Sequence, residues 1–556
     1  MDFLNTSRTV ISLFIVTLAL RARGASTGVH NCCAGLYNQF PSIVSFPNST
    51  SYNSTLYSYY TAQEVSIDPA CFFSPASESD IASALSLFSQ RKCSFAIKSG
   101  GHGIWGGIAN IQNGVSIDLA KFNALEIASR GNEPVVKIGV GMKWGQVYHL
   151  LDAQGLAVPG GRWGGVGVGG LTLGGGISFF STRVGFVCDN IVNAQVVLAS
   201  GKIVNANATS HPELWRALKG GSNNFGIVTR LDLLAFPQGK FWGGQIIQPY
   251  TPAALDHFVD AVSTYSSDPE FDIYASLIFS YVFNSGSWIF ISNVQYTQEK
   301  NFPSTLAPFT DYDPDTQVQN TVRFSNLSDF ADTNSDADGP NGATRNYYFT
   351  RTYGSSPVLM RKMYNLHNET VSKTVSLLTE AVSWSLTAEP FPAVLTQWGD
   401  RKGGNVLGLY ADDGPLILWL VTVFWHDPEN DAIIAEAVAD FFSKIDSLAK
   451  ESGLYNSYSY LNYADKTEPV IEGYGAENVA FLRDVSKKYD PQGVFQKLVP
   501  GGFKLGLAVQ VQYHGSVLPS TRGYVVHEGR TPFSLGMASL IIVMYMSQFR
   551  GSMLDE

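Results

Sequence analysis

A histidine sits where a glycine loop can press it against a ligand. In KSGGHG, residues 98–103, His102 follows two glycines at the end of a strand-like run, CSFAI. Glycine lets backbone approach a guest closely, so His102 would point at whatever the loop embraces. The plain alternative is a tight turn carrying a solvated histidine. A second stretch, GGVGVGGLTLGGG at 164–176, is more than half glycine. Backbone so bare has many amide N–H groups to donate, and a pyrophosphate is the natural guest. Gly165, Gly167 and Gly170 also satisfy G-x-G-x-x-G, with Asp189 about twenty residues on, as in a dinucleotide fingerprint. That reading is rejected, because further glycines interrupt the helix such a motif must open. The other histidines, among them His149, His211, His257 and His426, show no metal-ligand spacing and read as structural, so no metal is expected.

The elements that must hold these loops read as α+β from 74 to 230. SESDIASALSLFSQ opens on serine and acidic residues and puts Ile81, Leu85 and Phe88 on one helical face. VSIDLAKFNALEIA and PVVKIGVG have strand character, and KWGQVYHLLDAQG reads as a helix closed by Gly155. IVNAQVVLASGKIVNAN predicts a hairpin turning at Ser200-Gly201. From about 240 to 448, aromatic-rich alternating runs such as IYASLIFSY and LILWLVTVFW predict a large antiparallel sheet. Helices near 252–265, 356–380 and 430–452 would cover one face of it. After GGFKL, residues 501–505, the pattern dissolves.

Composition narrows the function. The chain has 556 residues, 45% hydrophobic, with 53 glycines and a net charge of −10. No dense run of Lys and Arg appears, which excludes the electrostatic footprint of a nucleic-acid binder. Stable membrane association is not expected either, since SLGMASLIIVMYM in the tail, 13 mostly apolar residues, is too short to span a bilayer. Arg8, the apolar run Val10–Leu20 and the small residues Ala22 and Gly24 predict a cleaved secretion signal over 1–24. Cys32, Cys33, Cys71 and Cys93 would then form two disulfides, Cys32 or Cys33 pairing with Cys71 and with Cys93, and Cys188 would be a buried free thiol. Sequons at Asn48, Asn53, Asn207, Asn326 and Asn368 agree with a secretory route.

KSGGHG at 98–103, VGVGGLTLGGGISF at 166–179, GFVCDNIVNAQVVLASG at 185–201 and LWRALKGGSNNFGIVTR at 214–230 together resemble the vanillyl-alcohol-oxidase/PCMH superfamily of FAD enzymes. The closing YLNYA, YGAEN, KYDPQGVFQ and GGFKL resemble its berberine bridge enzyme-like branch. The resemblance implies an FAD-binding domain of two α+β subdomains over 60–238, completed by 455–505. It further implies a substrate domain over 239–454; outside its span of about 60–505 lie an N-terminal arm over 25–59 and a tail over 506–556 in which no fold is expected. It implies FAD as cofactor, bonded through His102. Many relatives carry a second attachment, a cysteine where this chain has Trp163, so a single link is expected, with lower oxidising power than in doubly linked relatives. Ser99, Gly100, Gly101, Gly103, Gly167, Gly169, Gly170 and Gly175 should line the cofactor, with Asn190, Gly226, Ile227 and Asn462 in contact with it. Val166 falls at a position that gates oxygen access in similar plant enzymes, and valine there looks like an oxidase.

In relatives a tyrosine of the Y-x-N segment often acts as the base. Here Tyr460-Leu461-Asn462 matches, with Tyr463 following; on a strand Tyr460 and Asn462 would share a face and Tyr463 take the other. Glu389 in SLTAEP is a further candidate base, with a solvated charge as its alternative. The expected activity is oxidation of a small molecule, a secondary metabolite or else a carbohydrate, by a secreted monomer using molecular oxygen. A flavin-holding protein without catalysis is the reading from another class.

Overall fold

The computed structural model describes residues 31–336 and 341–506. The leader expected over 1–24 and the tail beyond 506 lie outside the described residues. Two cores stand on different sheets, as expected of an α+β chain.

The first core begins with a four-stranded sheet. Cys71–Phe73 and Phe95–Lys98 both run parallel to Val115–Asp118, and Val44–Ser45 adds an antiparallel edge. The helix Glu78–Arg91 carries the chain from Cys71–Phe73 across to Phe95–Lys98, the two strands that flank Val115–Asp118 on either side. Ser77 and Asp80 close a capping box at its start, Lys92 ends it in the left-handed region, and Ile81, Leu85 and Phe88 are buried. Phe95–Lys98 then runs directly into the loop that bears His102. A second, five-stranded antiparallel sheet follows in the order Leu125–Arg130, Glu133–Gly139, Ile227–Leu234, Ile191–Val197, Ile203–Asn207. Its last pair is the hairpin at Ser200-Gly201, with Gly201 at φ 79°. The run VSIDLAKFNALEIA divides between the two sheets, residues 119–124 carrying the chain across.

Cys32 bonds Cys93 and Cys33 bonds Cys71, which resolves the pairing that the sequence leaves open. These bonds fasten the helical residues 31–39 to the strand at 71–73 and to the far end of the crossover. Cys188 is buried and free.

The second core is one face of a nine-stranded antiparallel sheet. Its long strands lie in the order Phe241–Pro249, Ser287–Tyr296, Ala275–Asn284, Ser383–Phe391, Leu416–Trp425, Arg345–Gly354. Helices Pro252–Ser267, Pro357–Val375 and Asp431–Glu451 cover it close to their expected positions. Alternation along Ala275–Asn284 sends Phe279 and Tyr281 under the helices and Ile278, Ser280 and Val282 to the other face. That second face is the floor of the site. No helix among the described residues is long and apolar enough to cross a membrane.

His367, on Pro357–Val375, is an exception within this apolar layer. It is 1% exposed, neither ring nitrogen has a partner among the described residues, and Tyr281, Trp288, Trp384 and Phe441 surround it. Burial pushes its pKa down to about 3. The unfolded chain therefore takes a proton below pH ~6.5 that the folded chain refuses until pH ~3, so stability falls with pH across that window. His367→Phe should remove the slope, gaining about 2 kcal/mol over the parent at pH 5 beyond any packing difference seen at pH 7.5. Chemical denaturation at the two pH values checks it; equal differences at both would refute the assignment.

Candidate active site

A cavity of about 360 Å³ opens between the glycine loops of the first core and the polar face of the large sheet. Its upper wall is the loop after Phe95–Lys98. The amides of Gly100, Gly101, His102, Gly103 and Ile104 find no acceptor among the described residues, while the carbonyl of Gly101 accepts from Tyr60 N at 2.9 Å. Successive free donors of this kind are what a phosphate anion binds. The His102 imidazole stacks on Tyr60, centroids 3.7 Å apart. Burial, helped by the Lys143 charge, pushes its pKa down to about 3, so the ring is neutral and its nitrogen lone pair is available.

The second glycine loop packs against the first, backbone to backbone. A Cβ on Gly100 would lie 2.3 Å from Gly167 Cα, and one on Gly167 would lie 2.5 Å from Gly100 Cα. Ser99 Oγ bridges the loops, donating to Val140 O at 2.5 Å and accepting from Gly169 N at 3.3 Å. Part of the glycine crowding thus serves loop-to-loop contact rather than a guest. Gly170 is different: it lines the cavity, and a Cβ there would meet nothing within 4 Å. The helix Leu327–Asp336 fastens the start of this loop. Gly164 N donates to Ala331 O, Gly165 N to Ser335 Oγ, and Asn334 Nδ2 to the carbonyl of Arg162.

At the floor three side chains close on one another. Arg162 Nη2 donates to both Glu389 oxygens at 2.8 Å and to Tyr463 Oη at 2.7 Å, and Tyr463 Oη donates to Glu389 Oε1 at 3.0 Å. The Arg162 and Glu389 side chains are 5% and 4% exposed. Burial raises the Tyr463 pKa, Arg162 pulls it back and Glu389 raises it further, leaving the phenol well above its ordinary value. Burial works against the Arg162 cation, but Glu389 and Tyr463 outweigh it and the guanidinium stays charged. The cluster can therefore relay a proton: Tyr463 hands its own to Glu389 while accepting another, without ever becoming a free phenolate.

Tyr460 lies beside it, ring centroids 4.8 Å from Tyr463 and near perpendicular. The strand expected here is instead a turn, closed by Tyr463 N donating to Tyr460 O at 2.9 Å. Because the chain reverses there, Tyr460 and Tyr463 converge on one cavity rather than taking opposite faces. Tyr460 Oη accepts from Ile177 N at 3.1 Å and from Asn462 Nδ2 at 2.9 Å. Glu389 is no solvated charge: it is held against Arg162 at 3% exposure.

Of the other expected residues, Ser99 through Gly103, Val166, Gly167, Gly169, Gly170, Gly226, Ile227 and Asn462 all reach the cavity wall, as does Trp163. Gly175 and Asn190 do not. Gly175 stands behind Tyr460 at φ 108°. Asn190 is spent within the chain, donating to Val184 O and Phe186 O and accepting from Lys402 Nζ at 2.6 Å. Arg162 is the residue that sequence reasoning passed over. Its signal was isolation, since it is the sole charged residue between Asp152 and Arg183.

Solved structures share this architecture at low identity. 6-Hydroxy-D-nicotine oxidase from Arthrobacter nicotinovorans aligns with a TM-score of 0.69 at 19% identity, covering 83% of this chain and 97% of that one. Xylooligosaccharide oxidase from Myceliophthora thermophila C1 gives 0.66 at 19%, covering 84% and 98%. The fold is that of this class of oxidases. In sequence, the FAD binding domain family matches residues 69–207, and the berberine and berberine-like family matches 459–497. An FAD-dependent monooxygenase of Emericella nidulans is 35% identical over 485 residues, 86% of this chain and 98% of the relative. One of Cochliobolus heterostrophus is 34% identical over 482 residues, 84% and 90% of the two chains. The chain belongs to the FAD-linked oxidoreductases of the vanillyl-alcohol-oxidase/PCMH superfamily, in the berberine bridge enzyme-like branch. The residues present fit FAD, since free loop amides suit its pyrophosphate and the bare flank at Gly170 leaves room for its bulk.

Proposed function

We propose that this chain is a secreted oxidase that removes hydride from a small secondary metabolite, with oxygen as final electron acceptor and hydrogen peroxide as co-product. The observation that carries this reading is the Arg162–Glu389–Tyr463 cluster, buried in the same cavity as the glycine loops and His102. FAD, when bound, accepts the hydride. The chain's own part is to take the substrate's hydroxyl proton on Tyr463 Oη, pass Tyr463's proton to Glu389, and keep Arg162 as fixed countercharge. His102, neutral and on the cavity wall, is the attachment point for FAD, and Trp163 leaves it the single link. Residues 60–238 with 455–505 hold the cofactor, and 239–454 form the substrate's floor. Val166 on the wall suits an oxidase. The two disulfides suit an oxidising compartment.

The names of the relatives favour a second reading, insertion of one oxygen atom into the substrate. Turnover under ¹⁸O₂ on a panel of aromatic alcohols, polyketide phenols and oligosaccharides separates the cases. Labelled peroxide with unlabelled product is expected; label in the product moves the enzyme to monooxygenation, and brisk oligosaccharide turnover overturns the metabolite assignment. Acid precipitation tests the attachment. Yellow colour should stay with the parent protein and leave His102→Ala, and a parent that releases its flavin overturns the covalent link.

A further inference from the structure

Behind the Arg162–Glu389 pair lies a second, smaller cavity of about 20 Å³. Arg162, Ile177 and Glu389 line both cavities, so the ion pair is the partition between them. A water molecule needs roughly 10–15 Å³ and two or more polar partners, and this chamber offers them. Tyr265, from the helix Pro252–Ser267, brings a buried hydroxyl with no partner among the described residues. Ser276, on the strand Ala275–Asn284, adds a second hydroxyl, and Glu389 a carboxylate. Leaving a buried hydroxyl unpaired costs about 1–3 kcal/mol, which a water would relieve. Phe271 also lines the chamber, and the next residue, Asp272, is half-exposed and accepts from Tyr296 Oη at 2.9 Å.

We propose that this chamber holds a water molecule bonded to Tyr265 Oη and Glu389, through which Glu389 exchanges its proton with solvent on the Asp272 side, away from the substrate cavity. The inference rests on the reading of Glu389 as the end of the relay. The step is a proton transfer only: the O–H bond of the Glu389 acid breaks, the water takes that proton as it releases another toward solvent, and no electrons move. The separation has a use. A substrate filling the main cavity would seal Glu389 from bulk water on that side, and a rear outlet lets the carboxylate reset while the substrate cavity stays closed.

Two measurements on the FAD-loaded enzyme test it. A high-resolution crystal structure should show one ordered water within hydrogen-bond distance of Tyr265 Oη, retained in Tyr463→Phe and lost in Tyr265→Phe; a dry chamber in the parent overturns the proposal. In solution, the carboxylic C=O stretch of Glu389, assigned by its loss in Glu389→Gln, is followed by infrared after a downward pH jump. Tyr265→Phe keeps the ring and its packing, and should slow the appearance of the band tenfold or more. An unchanged rate means that Glu389 exchanges through the main cavity, and the chamber has no such role. A band that survives Glu389→Gln shows that Glu389 takes no proton, and then the relay itself fails, not merely its outlet.

Discussion

Tyr463→Phe is expected to lower kcat by about 10²–10⁴-fold, the usual contribution of a positioned general base, while Tyr460→Phe costs stability instead. The two phenols stand side by side, and hydrogen-bond accounting separates them. A phenolic oxygen has two lone pairs and one proton. Tyr460 Oη already accepts from Ile177 N and Asn462 Nδ2, so it has only its proton to offer and cannot take one from a substrate. Tyr463 Oη accepts once, from Arg162, and gives its proton to Glu389, which leaves a lone pair for the substrate and an outlet for the charge. Deleting the Tyr463 hydroxyl therefore removes the proton acceptor, with KM little changed and the loss falling on kcat. Deleting the Tyr460 hydroxyl strands the buried Ile177 N–H, at a cost of about 1–3 kcal/mol in unfolding free energy. Paired kinetics and denaturation of both variants check the assignment. If Tyr460→Phe carries the larger kcat loss with its stability intact, the roles are reversed.

What the sequence made legible was what short-range chemistry controls. The crossover helix at 78–91 announced itself through its capping box and one apolar face, the hairpin at Ser200-Gly201 through β-branched runs and a glycine, and the large sheet through alternation. The site was harder to read because its parts meet only in three dimensions. Ser385, Thr387 and Glu389 alternate along one face of their strand, and a polar face reads as a wet one. Here that face looks into a cavity, and the partner that makes Glu389 tolerable, Arg162, is 227 residues away. The tyrosine segment was misjudged for a related reason: spacing alone cannot tell a strand from a turn when every residue is large, and only the Tyr463–Tyr460 backbone bond decides it. Glycine was ambiguous in a third way. Gly100 and Gly167 are bare because they touch each other, whereas at Gly170 no protein atom would meet a Cβ, and nothing local distinguishes the two situations.

Arg162→Met should cost about 3–5 kcal/mol of stability, the loss expected when one partner of a buried ion pair is removed. The guanidinium offsets the Glu389 charge at a site where the carboxylate is 4% exposed, and it fills one lone pair of Tyr463 as well. Without it, Glu389 must either hold an unpaired charge out of water or take up a proton. Adding Glu389→Gln removes the stranded charge, so the double variant should recover much of what Arg162→Met alone loses. The two changes are thus strongly non-additive, as contacting residues should be. An additive loss would mean that Arg162 contributes packing rather than charge. The same cycle speaks to function. A buried ion pair is a weak device for stability, because apolar side chains of equal volume often serve as well. Its retention in a cavity wall, with a tyrosine bridging both members, is better explained by work that a neutral core could not do: holding a carboxylate ready for a proton while a fixed cation keeps the site's charge in balance.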